Sequence, residues 1–147
     1  MKILFASSEA HPLIKTGGLA DVSGALPKAL RDLKQDVRLI LPAYRELLAR
    51  IDAPREVARL SGGAEPVRVL ETVLPDSAVP VYLIDAPHAF DRSGNPYTGP
   101  DGRDWPDNAA RFARFCRAIV EIAQDRAGLG WRPDLVHCND WQTGLVP

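Results

Sequence analysis

The chain has 147 residues, with 18 basic and 19 acidic side chains and a formal net charge of −1 at pH 7. This length fits one domain with a single hydrophobic core, and a hydrophobic share of 46% is ordinary for a globular protein. The basic residues are spread along the chain without a polybasic run, so we expect neither nucleic acid nor an anionic membrane as a partner.

The cysteines and histidines form no pattern typical of a metal site or a disulfide framework. Cys116 and Cys138 are the only cysteines, and the three histidines are scattered. We therefore predict no metal and no cofactor. The apolar run after Met1 is too short for a secretory signal, and no run reaches membrane-spanning length. These features predict a reduced, cytoplasmic protein.

The first third of the chain predicts a strand, a helix and a second strand. Residues 2–8 and 36–42 are short apolar runs, the pattern of strands buried on both faces. Between them, apolar residues recur at steps of three and four, which predicts a helix with one apolar face. They are Leu19, Val22, Leu26, Leu30 and Leu33. This βαβ unit is right-handed by strong precedent and indicates an α/β fold with a mostly parallel sheet.

The rest of the chain predicts a hairpin, a long loop, a helix and a last strand. Residues 66–74 and 79–85 read as two strands joined by a tight turn, and residues 86–104 are rich in Pro, Gly, Asp and Asn. Long loops of this kind are often functional. An apolar stripe at helical spacing follows from Asp107 onward, and residues 135–138 form another buried strand.

The end of the chain brings polar residues to the edge of the predicted sheet. Asn139 and Asp140 follow the last strand, and the next helix has barely begun at Pro147. In open α/β sheets, ligands bind at the carboxyl ends of the strands. We therefore expect the sequence to stop within a site and to be a fragment of a longer protein.

The segment that joins the first strand to the first helix has the chemistry of an anion site. Gly17 and Gly18 would let backbone amides approach an anion at a helix N-terminus, and Lys15 adds a positive charge. A phosphate or diphosphate would suit it. The pattern is neither GxGxxG nor the Walker lysine motif. The alternative is a tight turn with a solvated lysine.

Several segments in order resemble bacterial glycogen synthases and plant starch synthases. The strongest is KTGGLADVSGALPKAL at residues 15–30, followed by YLIDAP at 82–87 and WRPDLVHCNDWQTGLVP at 131–147. Ser8-Glu9 and the stretch Asn95-Pro96-Tyr97 also fit. The resemblance runs over the whole chain and is weakest at residues 44–80.

The resemblance implies the GT-B architecture, with two Rossmann-like halves and the active site in the cleft between them. Residues 1–147 would be the N-terminal, acceptor-side half, truncated and carrying a β-hairpin insertion, and the C-terminal nucleotide-binding half would be absent. Such enzymes need no metal and transfer glucose from ADP-glucose to the non-reducing end of an α-1,4-glucan (glycogen) with retention. The fragment alone would be inactive.

The resemblance also implies roles for individual residues. Lys15 and the Gly17 and Gly18 amides would reach the donor's phosphates, and Asp21 would lie near the sugar as a catalytic residue. Tyr97 and Asp140 would lie in or beside the glucose and acceptor site, with Asp140 also catalytic.

Each side chain has a structural alternative. An acid at Asp21 also favours the helix dipole, Tyr97 could anchor a loop, and Asp140 could cap the next helix. Many relatives carry histidines where this chain has Asn139 and Gln142, and an amide cannot carry a proton at neutral pH. A general acid or base role at these two positions is therefore not expected.

Two other functions compete with an ADP-glucose-dependent synthase. One is another GT-B glucosyltransferase that uses UDP-glucose, similar to sucrose synthase. The other is a stand-alone, non-enzymatic module that binds a sugar or a nucleotide.

Overall fold

The computed structural model describes residues 1–61 and 65–147. Six strands lie in one sheet: β1 (Lys2–Ala6), β2 (Asp36–Pro42), β3 (Arg55–Leu60), β4 (Val67–Val73), β5 (Pro80–Asp85) and β6 (Leu135–Cys138). The helices are α1 (Gly18–Asp32), α2 (Arg45–Leu48), α3 (Pro87–Phe90) and α4 (Asn108–Ala123), with a short 3₁₀ turn at Trp141–Thr143. Every predicted strand and both predicted long helices are present. The sequence did not predict β3 or α2, and α3 lies inside the predicted loop.

The sheet is mixed, with the strand order β3-β4-β5-β2-β1-β6. Strands β5, β2, β1 and β6 are parallel, whereas β4 runs antiparallel to both of its neighbours, β3 and β5. The predicted hairpin is β4–β5, closed by a backbone hydrogen bond from Leu74 to Val79 of 2.8 Å. Because β5 also pairs with β2, this hairpin extends the main sheet rather than standing apart from it.

Two helices cover the two faces of the sheet. The connection β1–α1–β2 moves one way along the sheet, and the connection from β5 through α4 to β6 moves the opposite way. Since such crossovers are right-handed, α1 and α4 lie on opposite faces. The central strands are therefore buried on both sides, and Leu4, Phe5, Leu39, Ile40 and Leu83 are fully inaccessible to solvent. The predicted α/β fold is confirmed.

Candidate functional site

The sheet has a switch point between β1 and β6. These neighbours are parallel, but the chain leaves β1 toward β2 on one side and reaches β6 from β5 on the other. The crevice beyond their carboxyl ends is the usual ligand site of an open α/β sheet. The two strand ends are tied together there, because the Asn139 side-chain amide donates to the Ala6 carbonyl at 2.9 Å.

The N-terminus of α1 opens onto this crevice. Gly17 is the N-cap residue with extended backbone, and no side chain caps the helix. A Cβ atom added to Gly17 or Gly18 would meet nothing within 4 Å. Neither position therefore needs glycine for packing, and the space beside both Cα atoms is open. The Gly17 amide already donates to the Glu9 carboxylate at 3.3 Å, so an anion here would use the amides from Gly18 onward. This geometry suits an anion held by backbone N–H groups at a helix N-terminus.

Gly24, the third glycine of the same motif, is required by packing, in contrast to Gly17 and Gly18. A Cβ atom on Gly24 would lie 2.4 Å from the carbonyl oxygen of His11. The loop is held close to the helix there, since the His11 amide donates to the Ala20 carbonyl at 2.9 Å. Gly24 thus serves the packing of the loop on α1.

Lys15 and Asp21 form an ion pair at the mouth of the crevice. The ammonium lies 2.6 and 2.8 Å from the two carboxylate oxygens. The side chains are 47% and 56% exposed, so the pair contributes little to stability. Lys15 is therefore free to exchange its partner for a ligand at small energetic cost.

Glu9 lies at the centre of the site and is only 3% exposed. Its carboxylate accepts hydrogen bonds from the Thr16 amide and hydroxyl, from the Gly17 amide at 3.3 Å and from the Tyr97 hydroxyl at 3.0 Å. In the sequence, Glu9 is distinguished only as part of the resemblance to the synthase family. The signal that could have found it is its position, three residues after β1 at the carboxyl edge of the sheet.

The Tyr97 hydroxyl is fully occupied within the protein. A carboxylate can only accept, so Tyr97 donates to Glu9 and the Ser8 hydroxyl, 2.7 Å away, donates to Tyr97. Burial and the Glu9 charge raise the pKa of Tyr97 well above its ordinary value, although the hydrogen bond from Ser8 acts the other way. The hydroxyl is therefore no acid at neutral pH, and what Tyr97 offers a ligand is its half-buried ring.

Asp140 adopts a backbone conformation that is nearly restricted to glycine, with φ 62° and ψ −179°. Its carboxylate accepts from the Trp141 amide at 2.7 Å, so it does cap the following turn as the structural alternative held. A cap requires no such backbone strain. Trp141 is 54% exposed, and its ring centroid lies 6.2 Å from that of Tyr97. Trp141, the residue after Asp140, therefore presents its exposed ring beside that of Tyr97.

Comparisons with known proteins place the chain in a family. The family model described as "Starch synthase catalytic domain" matches residues 2–147. The chain belongs to this family.

Relatives and a solved structure agree with that assignment. The chain is 56% identical to glycogen synthase 1 of Methylococcus capsulatus and 57% identical to glycogen synthase of Thioalkalivibrio sulfidiphilus, over its whole length. It matches 99% of its length, with a TM-score of 0.71 and 28% identity, to the catalytic domain of starch synthase IV from Arabidopsis thaliana bound to ADP and acarbose. The chain spans only 30% and 31% of the two bacterial relatives and 29% of the plant chain.

All the residues that the family resemblance singled out border the β1/β6 crevice or its loops. Lys15, Gly17, Gly18 and Asp21 are at the start of α1, and Asp140 follows β6. Tyr97 reaches the same site from a distant loop through Glu9 and Ser8. No comparison tests the role of any of them, so these roles stay predictions.

Asn139 and Gln142, where the resemblance implied histidines, are both turned into the protein. Asn139 donates to the backbone carbonyls of Ala6 and His137, whereas Gln142 is 2% exposed and its side-chain oxygen has no hydrogen-bond partner in the described part of the chain. Burial raises the pKa of the Cys116 and Cys138 thiols, so neither is an activated nucleophile. Within residues 1–61 and 65–147, no cluster of three metal-ligating side chains occurs and no helix could span a membrane.

Proposed function

We propose that the chain is the N-terminal, acceptor-side part of a glycogen synthase. The whole enzyme would transfer glucose from ADP-glucose to the non-reducing end of an α-1,4-glucan with retention. The observation that carries the proposal is the match of the starch synthase family model to residues 2–147, together with an open anion cradle at the switch point of the sheet. The nucleotide would be held mainly by a second Rossmann-like half beyond Pro147. A cytoplasmic location stays a prediction.

The donor's diphosphate would bind at the start of α1. The open space before Gly17 and Gly18 leaves room for it, and Lys15 would turn from Asp21 to the phosphate oxygens. Fixed positive charge and aligned amides would then stabilise the negative charge that grows on the departing ADP. Asp21, released from its lysine, could accept hydrogen bonds from the sugar.

Glucose and the acceptor would lie against the two rings beside Asp140. Aromatic faces suit the apolar faces of a pyranose, and the Asp140 carboxylate could orient a hydroxyl or favour an oxocarbenium-like centre. In the proposed step, an acceptor hydroxyl oxygen bonds to the anomeric carbon on the face from which ADP leaves. The bond from the anomeric carbon to the diphosphate oxygen breaks as the new bond forms, and the hydroxyl proton passes to the departing diphosphate. Attack on this face needs no enzymatic nucleophile, and the diphosphate takes the place of a general base.

A donor assay on the full-length protein tests this function. We expect glucan elongation with ADP-glucose and little with UDP-glucose, in line with the ADP in the plant structure. Residues 1–147 alone should be inactive. Lys15→Ala should lower kcat/KM for ADP-glucose by about 100-fold or more with unchanged thermal stability, because it removes a charge from the transition state. A preference for UDP-glucose would indicate a sucrose-synthase-like enzyme, and binding without transfer would indicate a module.

A further inference from the structure

Glu9 is a buried carboxylate whose nearest partners are all uncharged. At 3% exposure it has lost most of its hydration, and burying a charge is unfavourable unless several donors compensate it. Its hydrogen bonds come from two peptide amides and two hydroxyl groups. A buried carboxylate without a positively charged partner contributes little to stability. We therefore look for its role in the segments that its hydrogen bonds hold in place.

The donors come from two segments that are far apart in sequence. Thr16 and Gly17 belong to residues 15–18, called here the anion loop, and lie seven and eight residues after Glu9, whereas Tyr97 lies 88 residues away. Glu9 is thus the direct link between the loop with the Lys15 ammonium and the loop with the Tyr97 ring.

The Tyr97 end of this link is rigidly held. The Asn95 side chain accepts from the Tyr97 amide at 2.8 Å, and the Asn108 side chain donates to the Tyr97 carbonyl at 2.9 Å. The buried guanidinium of Arg111 donates to the preceding carbonyl, that of Pro96, at 3.1 Å. Tyr97 is therefore held against α4, and its hydrogen bond to Glu9 connects α4 to the anion loop.

We propose that Glu9 is a positioning residue of the proposed reaction: it holds the Thr16 and Gly17 amides so that the donor's diphosphate meets a preformed loop, with Tyr97 as its anchor. The expected effect on the KM for ADP-glucose rests on the proposed function. The expected effect on the order of the Thr16 and Gly17 amides does not. Neither side chain would act on the reacting atoms. The Tyr97 hydroxyl would serve donor binding, although its ring lies on the sugar side.

The test uses Glu9→Gln and Tyr97→Phe in the full-length protein. Glutamine has the shape of glutamate, but its side-chain N–H hydrogens would face the Thr16 and Gly17 peptide amides, which can only donate. Losing hydrogen bonds to a charged group should raise the KM for ADP-glucose about tenfold in Glu9→Gln. Tyr97→Phe removes one donor and keeps the ring, so its KM should rise about threefold. The KM for glucan should stay unchanged in both.

The double variant and a matched control separate positioning from mere stabilisation. Because Tyr97 acts through Glu9, the double variant should bind ADP-glucose no worse than Glu9→Gln alone. Tyr44→Phe is the control: it removes a buried tyrosine hydroxyl that has no hydrogen-bond partner in the described part of the chain. We expect wild-type kinetics for it.

Amide hydrogen exchange of a peptide spanning residues 13–20 tests the positioning independently of activity. Glu9→Gln should speed exchange at Thr16 and Gly17, and Tyr44→Phe should not. If the wild-type protein transfers no glucose but this exchange responds, the proposed function fails and the positioning role stands. If the wild-type protein is active while Glu9→Gln changes neither the exchange nor the KM for ADP-glucose, the positioning role is wrong.

Discussion

Residues 15–18 and residues 20–24 belong to one continuous sequence motif, but the structure uses them differently. At residues 20–24, the helix packs tightly on the preceding loop, and a Cβ atom on Gly24 would strike the His11 carbonyl. At residues 15–18, a Cβ atom on either glycine would meet nothing, and the lysine is half exposed. Packing therefore requires glycine at position 24, whereas it places no such demand on the side chains of Lys15, Gly17 and Gly18.

Within ten residues, the motif therefore contains positions that should matter for stability and positions that should matter for activity. Where neighbours dictate a residue, a substitution should first change the free energy of unfolding. Where nothing in the fold dictates it, the residue is available to a ligand, and a substitution should first change activity. Asp140 lies on the other side of the crevice. The fold does not merely leave this residue free, because its backbone conformation lowers the stability of the protein.

The largest expected effect is at Asp140. Replacement by glycine removes the carboxylate from the proposed sugar site, so kcat of the full-length protein in the proposed reaction should fall by about 100-fold. The same change relieves a backbone conformation that costs about 1–3 kcal/mol, and glycine replaces a capping side chain at a loss of only a few tenths. The free energy of unfolding should therefore rise by about 1 kcal/mol, measured by urea denaturation.

Asp140→Asn is the matched control for this prediction. It keeps a side-chain acceptor for the Trp141 amide and keeps the strained backbone, so stability should match the wild type while activity is lost. If Asp140→Gly destabilises the protein, the strain at this position is not real, and the contrast between the two kinds of position does not extend to β6.

A smaller effect should distinguish the two ends of the motif directly. Gly24→Ala should destabilise the protein by about 2 kcal/mol, because the new methyl group overpacks against backbone. Gly18→Ala should change stability by less than about 0.5 kcal/mol, since no neighbour is near. Its methyl group would protrude into the proposed diphosphate space and lower kcat/KM for ADP-glucose about tenfold. Equal loss of stability in both variants would contradict the comparison.

The sequence predicted the parts of the fold that depend on local patterns. Apolar residues that recur at helical spacing predicted α1 and α4, and short apolar runs predicted β1, β2 and β6. Strand β3 was missed because it is only half buried at the sheet edge, so its residues carry no continuous apolar run. The antiparallel pairing of β4 with β3 and β5 depends on contacts between segments, which no local pattern reveals.

The sequence predicted most of the residues of the candidate site but not the contacts between them. The motif around Lys15 and the acid after β6 both carry visible signals in the sequence. The hydrogen bond between Glu9 and Tyr97 bridges 88 residues, so only the folded chain reveals it. The backbone strain at Asp140 could not be predicted either, because aspartate is common after a strand and its residue type does not reveal a positive φ.

The most direct test is a crystal structure of the full-length protein with ADP. The open start of α1 predicts that the diphosphate lies beside Gly17 and Gly18, before the amides from Gly18 onward, with the Lys15 ammonium about 2.8 Å from a phosphate oxygen. The Lys15–Asp21 ion pair should then be broken or shared. A diphosphate bound elsewhere, with that ion pair intact and the start of α1 filled only by solvent, would contradict the assignment of this loop to the donor.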